Sequence, residues 1–273
     1  LHPRVRRQRQ MCIRDRDYSV AATITPVGSK TSIGRQIISL NSDEIQTITT
    51  EWKGIQTWDC ETPNLYTLKL ELLNPQKQIV HIHEERIGFR TIEFRPKDGI
   101  YVNGTKIIVK GTNRHSFHPD GGRTTNRELS LQDALLIKEM NMNAVRSHYP
   151  PDKHFLEICD SLGIFYLNEL AGWQNSYDTE TGLKLLSEMI NRDVNHPCIF
   201  MWSNGNEGGW NKNIDAHFAD YDPQKRHVIH PWADFNGLDT HHYPAYQTGP
   251  YRLANGYNVS VSYTHLTLPT NSR

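Results

Sequence analysis

Long apolar runs are missing from these 273 residues. No stretch approaches the roughly 20 consecutive apolar residues needed to span a bilayer, and no signal-peptide h-region stands near the start, so the chain offers no membrane partner. Charge of one sign is missing too. The 30 basic and 30 acidic residues cancel, leaving no global field to attract nucleic acid, an anionic surface or an acidic polymer. Cysteine is scarce: Cys12, Cys60, Cys159 and Cys198 are widely scattered without CxxC spacing, which argues against both a disulfide scaffold and a zinc site. No glycine-rich phosphate loop of the GxGxxG or GxxxxGK[ST] kind follows any apolar run, which weakens a nucleotide-binding reading. What remains is length enough for one large domain or two ordinary ones with a buried core.

The two ends stand apart from the rest. Residues 1–16 are arginine-rich and lack a hydrophobic period. Taken alone they read as a basic arm for nucleic acid or anionic lipid. Met11 to Arg16 and the tail Val261 to Arg273 instead resemble translated sequencing-adapter read-through. Segments 1–16 and 259–273 are therefore expected to be non-native and are set aside as expression tags are, with an internal fragment of a longer protein between them.

Two rhythms divide the interior. From 17 to 95, short β-rich runs alternate with turn residues: Ser19 to Thr25, Gln36 to Leu40, Gln46 to Thr50, Tyr66 to Leu72 and Ile79 to Ile87. Tyr66, Leu68, Leu70 and Leu72 alternate with polar residues as on a half-buried strand, and the set predicts an immunoglobulin-like β-sandwich with Trp58 and Tyr66 as core or interface aromatics. From 96 to 258 strands alternate with helices. Strands are expected at Ile107 to Lys110, Ala144 to Arg146, Ile164 to Leu167, Ile199 to Trp202, His227 to His230 and Asp239 to His241. Helices are expected at Leu131 to Met140 (capped by Ser130 with Asp133; Leu136, Ile137 and Met140 on one face), Asp152 to Leu162 (ended by Gly163), Leu183 to Val194 and Lys212 to Tyr221. Such βα units imply a parallel sheet, either doubly wound or closed into a barrel.

Each strand end delivers polar or aromatic groups: Arg114 and His115 after the first, His148 after the second, Glu169 and Trp173 with the third, Asn206 and Glu207 after the fourth, His241 at the sixth. Catalytic residues of barrel enzymes collect on that face. Of the 14 histidines several cluster there, although a lone His is more often structural than catalytic. Amides and imidazoles hydrogen-bond hydroxyls and an indole offers a flat apolar face, a combination suited to an uncharged polyhydroxylated ligand. Glu207 itself closes the abrupt passage from the apolar run Ile199 to Trp202 into small and amide residues.

Five ordered segments carry a family resemblance: Arg86 to Arg90, Val102 to Lys106, Lys110 to His115, Asn143 to His148, and His196 to Glu207. The chain resembles an internal piece of a glycoside hydrolase family 2 enzyme, the group of β-galactosidases, β-glucuronidases and β-mannosidases. The resemblance implies a β sandwich plus α/β architecture, an immunoglobulin-like domain followed by a truncated (β/α)8 TIM barrel. It implies a retaining exo-β-glycosidase acting on a β-linked oligosaccharide or glycoside, with Glu207 as general acid/base. Asn206 matches the asparagine that bonds the sugar 2-OH, His115 and His148 match histidines lining the sugar pocket, and Arg146 is placed to orient a carboxylate. Packing beneath the strand ends is the alternative for both histidines. Glu169, Trp173 and His241 join the substrate-binding set, with Trp173 and Trp210 either stacking platforms or packed loop anchors.

The family's nucleophile follows a seventh strand, which no residue here matches. Glu169 is a geometrically allowed substitute, since adjacent strands can bring carboxyls to the roughly 5–5.5 Å that retention needs, though a substrate-site or supporting role fits it better. Gln174 replaces a charge in the pattern that binds magnesium in β-galactosidases, so no cofactor or metal is expected. The competing expectation is a non-catalytic carbohydrate-binding or structural module, inactive as this chain.

Overall fold

The computed structural model describes residues 18–40, 47–95 and 98–240, and the backbone of 258–259. The described residues divide into two compact units, one built from those up to Gln56 together with Asn64–Phe89, the other from Thr57–Pro63 and those from Arg90 onward.

The first unit holds one antiparallel sheet of four strands, β1 (Ser19–Pro26), β2 (Gly34–Ser39), β3 (Tyr66–Leu73) and β4 (Ile79–Ile87), in the order β2-β1-β3-β4. Its register pairs Val20 with Leu72, Ala22 with Leu70 and Ile24 with Leu68, so the alternating apolar residues of β1 and β3 share one face, as period-2 patterning requires. On the other face Glu71 is buried but held by Arg35 (2.9 Å) and Lys69 (3.0 Å), so its charge is compensated. The strand expected at 46–50 does not form: residues 47–50 carry no regular structure, and Gln46 lies outside the described residues.

The second unit opens with a small antiparallel sheet, β5 (Ile92–Arg95), β6 (Gly99–Val102) and β7 (Thr105–Ile107). A parallel sheet follows: β8 (Gly111–Asn113), β9 (Ala144–Arg146), β10 (Phe165–Glu169), β11 (Ile199–Ser203) and β12 (Val228–Ile229), hydrogen-bonded in simple sequence order. A doubly wound sheet reverses its strand order, and a barrel does not. These five strands wind one way. Helices α1 (Arg127–Glu139), α2 (Lys153–Leu162) and α3 (Thr179–Asp193) link β8 to β11, and a 3₁₀ turn (Lys212–His217) running into α4 (Phe218–Tyr221) precedes β12. All five residues of β10 and of β11 are buried, as are Phe155, Leu156, Leu186 and Ile190 of the helices, with the Phe155 ring edge-on to Tyr166 at 5.9 Å. Strands covered on both faces read as continuous apolar runs for that reason.

Three expectations are corrected. The first parallel strand is Gly111–Asn113, not Ile107 to Lys110: Ile107 pairs with Ile100 in a hairpin, and Ile108 is 73% exposed. Gly111 lets the backbones close up, since a Cβ there would lie 3.2 Å from the Ala144 carbonyl oxygen. Helix α1 starts a turn earlier than Ser130. The Asn126 side chain accepts from Leu129 N, while Ser130 is buried inside the helix with Ala134 and Ile137, and Leu136 and Met140 face solvent. The strand expected at 239–241 is β14 (Leu238–Asp239), which turns back on β13 (Asp234–Phe235) through Asn236 and Gly237, both at positive φ, and pairs with β15 (Asn258–Val259) instead of extending the parallel sheet.

Helix α2 matches its expected course. Asp152 precedes it, Phe155, Leu156 and Cys159 are buried, and Gly163 ends it in the left-handed conformation at φ 68°. Gly163 is also required sterically, because a Cβ would sit 2.5 Å from the Cys60 carbonyl oxygen. That contact belongs to a plug formed by Thr57–Pro63. Trp58 is fully buried, its indole N–H donates to the Asp160 carbonyl (2.8 Å), and its ring meets Phe165 edge-on at 5.4 Å.

Candidate active site

Strand β11 ends at Ser203 and the chain turns through Asn204, Gly205, Asn206 and Glu207. Asn204 organises this turn. Its amide donates to the Asn211 carbonyl (2.9 Å) and to Asp215 (2.8 Å), which also meets His230 (2.7 Å). The loop after β10 interlocks with the turn: Asn206 N donates to Gly172 O (2.6 Å) and Gln174 N to Asn206 O (3.2 Å). Glycine is obligatory where the two loops touch. A Cβ on Gly209 would lie 2.5 Å from Gly172 C and 2.6 Å from Trp173 N, and one on Gly205 would lie 2.5 Å from Gly209 O. Within this frame Glu207 adopts a left-handed backbone, φ 46°, uncommon for a residue with a Cβ. Its Oε2 accepts from the Trp173 indole N–H at 2.9 Å. Trp173 stays 65% exposed.

Beneath Asn206 lies a buried ionic clamp. Register sets Glu169 directly opposite Ser203, and Ser203 Oγ donates to Glu169 Oε2 at 2.8 Å. Arg146, at the end of β9, pairs with Leu167 and so reaches diagonally to Glu169. Its Nε (2.9 Å) and Nη2 (2.5 Å) donate to Glu169 Oε2, and Nη2 also donates to Asn206 Oδ1 at 2.7 Å. The Glu169 side chain is wholly buried and that of Arg146 nearly so. Glu169 Oε1 meets His148 Nδ1 at 3.3 Å. Arg146 therefore orients a carboxylate, and that carboxylate is Glu169. With both its oxygens occupied, Glu169 does not fit a cation site with Gln174, and among the described residues no group of three or more His, Cys, Asp or Glu could hold a metal ion.

His148 carries the arrangement outward. Its ring stacks on that of His115, centroids 5.1 Å apart, and His115 Nδ1 meets the Tyr149 hydroxyl at 3.2 Å. Partial desolvation of the ring, followed by the neighbouring charges of His148, Arg123 and Arg146, holds the His115 imidazole below its ordinary value of 6.5, favouring the neutral ring. Trp210 stacks on buried His230 (5.2 Å, nearly coplanar), which stacks in turn on Phe235. One face of the half-buried Trp210 ring is thus packed against the residue that follows β12. The structure brings Asn206, Glu207, Glu169 and Trp173 into one bonded network, with His148 and His115 joined to it through Glu169. His241 lies outside the described residues. Ser203 and Tyr149 carry site hydrogen bonds that residue-type reasoning passed over; the one available signal was their position at strand ends.

The model of the glycosyl hydrolase family 2 TIM barrel domain matches residues 93–230, and that of glycosyl hydrolases family 2 matches residues 13–90. The chain belongs to glycosyl hydrolase family 2. Among its curated relatives, the β-galactosidase of Thermoanaerobacterium thermosulfurigenes is 36% identical over 184 residues, covering 64% of this chain and 25% of the relative. The β-galactosidase of Lactococcus lactis is 37% identical over 171 residues, covering 58% and 17%. The crystal structure of Parabacteroides merdae β-glucuronidase superposes with a TM-score of 0.74 over 89% of this chain and 34% of its own, at 21% identity, a likeness of fold. The family 2 chain described here thus spans a quarter or less of these curated relatives, and its two matched segments carry the family's sandwich domain and a portion of its barrel.

Proposed function

We propose that this chain is the acid/base-bearing part of a retaining β-glycosidase that hydrolyses a β-linked glycoside or oligosaccharide, of β-galactosidase type. One observation carries the reading most: the Asn206–Glu207 pair stands at the tip of β11, with Asn206 Oδ1 held by Arg146 and Glu207 Oε2 held by Trp173. In this reading Glu207 protonates the glycosidic oxygen and then takes a proton from the water that releases the sugar. Because Asn206 gives its carbonyl oxygen to Arg146, its NH₂ is directed to the sugar 2-OH, a contact that strengthens in the transition state. His115, kept neutral, bonds a sugar hydroxyl, and Trp173 offers an exposed indole. His241 is retained as a substrate-side residue. Glu169 supports the site from beneath through Arg146 and Asn206, and the nucleophile is assigned outside the described residues, because Glu169, paired to Arg146 and Ser203, is not presented to a substrate.

Removal of the acid tests the reading. In the enzyme that carries this segment, Glu207→Gln lowers hydrolysis of a methyl β-glycoside by about 10²–10⁴-fold, with a smaller loss on a nitrophenyl glycoside whose leaving group needs no proton. Unchanged hydrolysis of the methyl glycoside would sink the assignment. The second reading, a carbohydrate-binding module without turnover, draws on Glu207 being the one site carboxylate presented among the described residues; it predicts sugar binding by this chain that Glu207→Gln leaves intact and no hydrolysis before or after.

A further inference from the structure

We infer that Trp173 is a positioning residue for Glu207: its indole N–H fixes the orientation of the carboxyl group and thereby the oxygen on which it carries its proton. This rests on the reading of Glu207 as the acid/base and adds a residue that acts through it. Three observations combine. The indole N–H donates to Glu207 Oε2 at 2.9 Å. The backbones that carry the two side chains are tied to each other, Trp173 bridging to Asn206, Asn206 N bonding Gly172 O, and Gly209 lying against Gly172 where neither tolerates a Cβ. Both partners adjoin left-handed non-glycine backbone, Glu207 itself at φ 46° and Gln174, next to Trp173, at φ 60°. Such conformations persist only where the surroundings impose them, and here the imposed geometry aims an indole at a carboxylate.

The chemical consequence follows from donor and acceptor rules. An indole N–H donates and cannot accept, and the carbonyl oxygen of a carboxylic acid is a better acceptor than its hydroxyl oxygen, so the contact favours the proton on the other oxygen. Protonation is then favoured on Oε1, the oxygen that the indole does not meet. A hydrogen bond that is stronger to the carboxylate than to the carboxylic acid lowers the pKa. Trp173 thus both aims the acid and lowers the pH at which it gives up its proton.

The test is a titration of this chain carrying ¹³C-labelled glutamate, with Glu207 assigned by its disappearance in Glu207→Gln. The Trp173 indole ¹H–¹⁵N signal should move with the same midpoint as the Glu207 carboxyl carbon, and should stop moving in Glu207→Gln. Trp173→Phe, which keeps a ring but removes the donor, should raise the Glu207 midpoint by about half a unit to one unit. The other charged or titratable groups on the surrounding elements, Arg146 at the end of β9, His148 after it with His115 stacked upon it, Glu169 in β10, Asp215 in the 3₁₀ turn and His230 after β12, stay in place in that variant. An indole signal indifferent to the Glu207 titration overturns the inference, and so does a Trp173→Phe midpoint unchanged within about 0.2 unit. If Trp173→Phe does not fold, the indole titration of the unaltered chain decides alone. These outcomes are separate from the functional reading: coupled titrations with no loss of hydrolysis in Glu207→Gln would refute the acid/base role and leave the positioning contact standing, and the converse result would do the opposite.

Discussion

Replacing Arg146 by alanine should be among the most damaging single changes in the second unit. The guanidinium supplies two of the three donors on Glu169 Oε2, leaving Ser203 Oγ on that oxygen and His148 on the other. It also holds Asn206 Oδ1. Because the Glu169 side chain has no exposure, the charge left behind cannot reach water. Breaking such a buried pair from one side costs about 3–5 kcal/mol, whereas removing both charges in favour of apolar side chains of similar volume is often neutral or better. The expected loss is then a large part of the roughly 5–15 kcal/mol that stabilises a typical domain, a fall in melting temperature on the order of 10 °C. Tryptophan fluorescence during urea unfolding reads this unit selectively, because Trp52 alone of the six tryptophans lies in the other unit. Arg146→Ala should lower the midpoint strongly, and Arg146→Met combined with Glu169→Leu should recover most of the loss. A single variant within about 1 kcal/mol of the natural chain, or a double variant no better than the single, would show that the pair is not desolvated as described.

Two further outcomes are expected. Gly209→Ala should destabilise by about 1–3 kcal/mol, because its Cβ would meet Gly172 and Trp173 backbone atoms, whereas Gly104→Ala, with nothing within 4 Å, should show only the cost of its positive φ; equal losses in denaturant unfolding would contradict the interlocked loops. For His115 the folded pKa lies below 6.5, so its contribution to stability is present above pH 6.5 and is lost as pH falls through the folded value. An imidazole NMR titration should place its midpoint below 6.5, and His115→Gln should flatten that part of the stability profile; a midpoint above 6.5 would refute the partial-desolvation argument.

Local signals carried helix α2 completely, since Phe155, Leu156 and Cys159 recur at helical spacing and Gly163 supplies the left-handed stop. They failed at β8. Gly111, Thr112 and Asn113 have no apolar content, and only pairing with Ala144 to Arg146 makes them a strand, while the β-branched Ile108 and Val109 beside them face solvent. Likewise Asn126 and Ser130 are both good caps by residue type, and tertiary burial of Ser130 decided between them. At the site, Glu207 was visible as the abrupt polar end of a buried strand. Its contact with Trp173, and the joining of Arg146, Glu169 and Asn206 from three strand ends, arise through space and leave no mark in spacing along the chain.

The plug formed by Thr57–Pro63 has a bearing on how the molecule comes together. Chain order places it between β2 and β3 of one unit, yet Trp58 is bonded to Asp160, 102 positions later, in the other. During synthesis the indole emerges long before the pocket that receives it. Closing so long a loop is entropically unfavourable until the contacts it rewards exist, which slows folding. The larger unit therefore cannot complete its interior by local assembly, and the final seating of Trp58 under β10 is a step in which the ripening of one unit waits on a thread drawn out of the other.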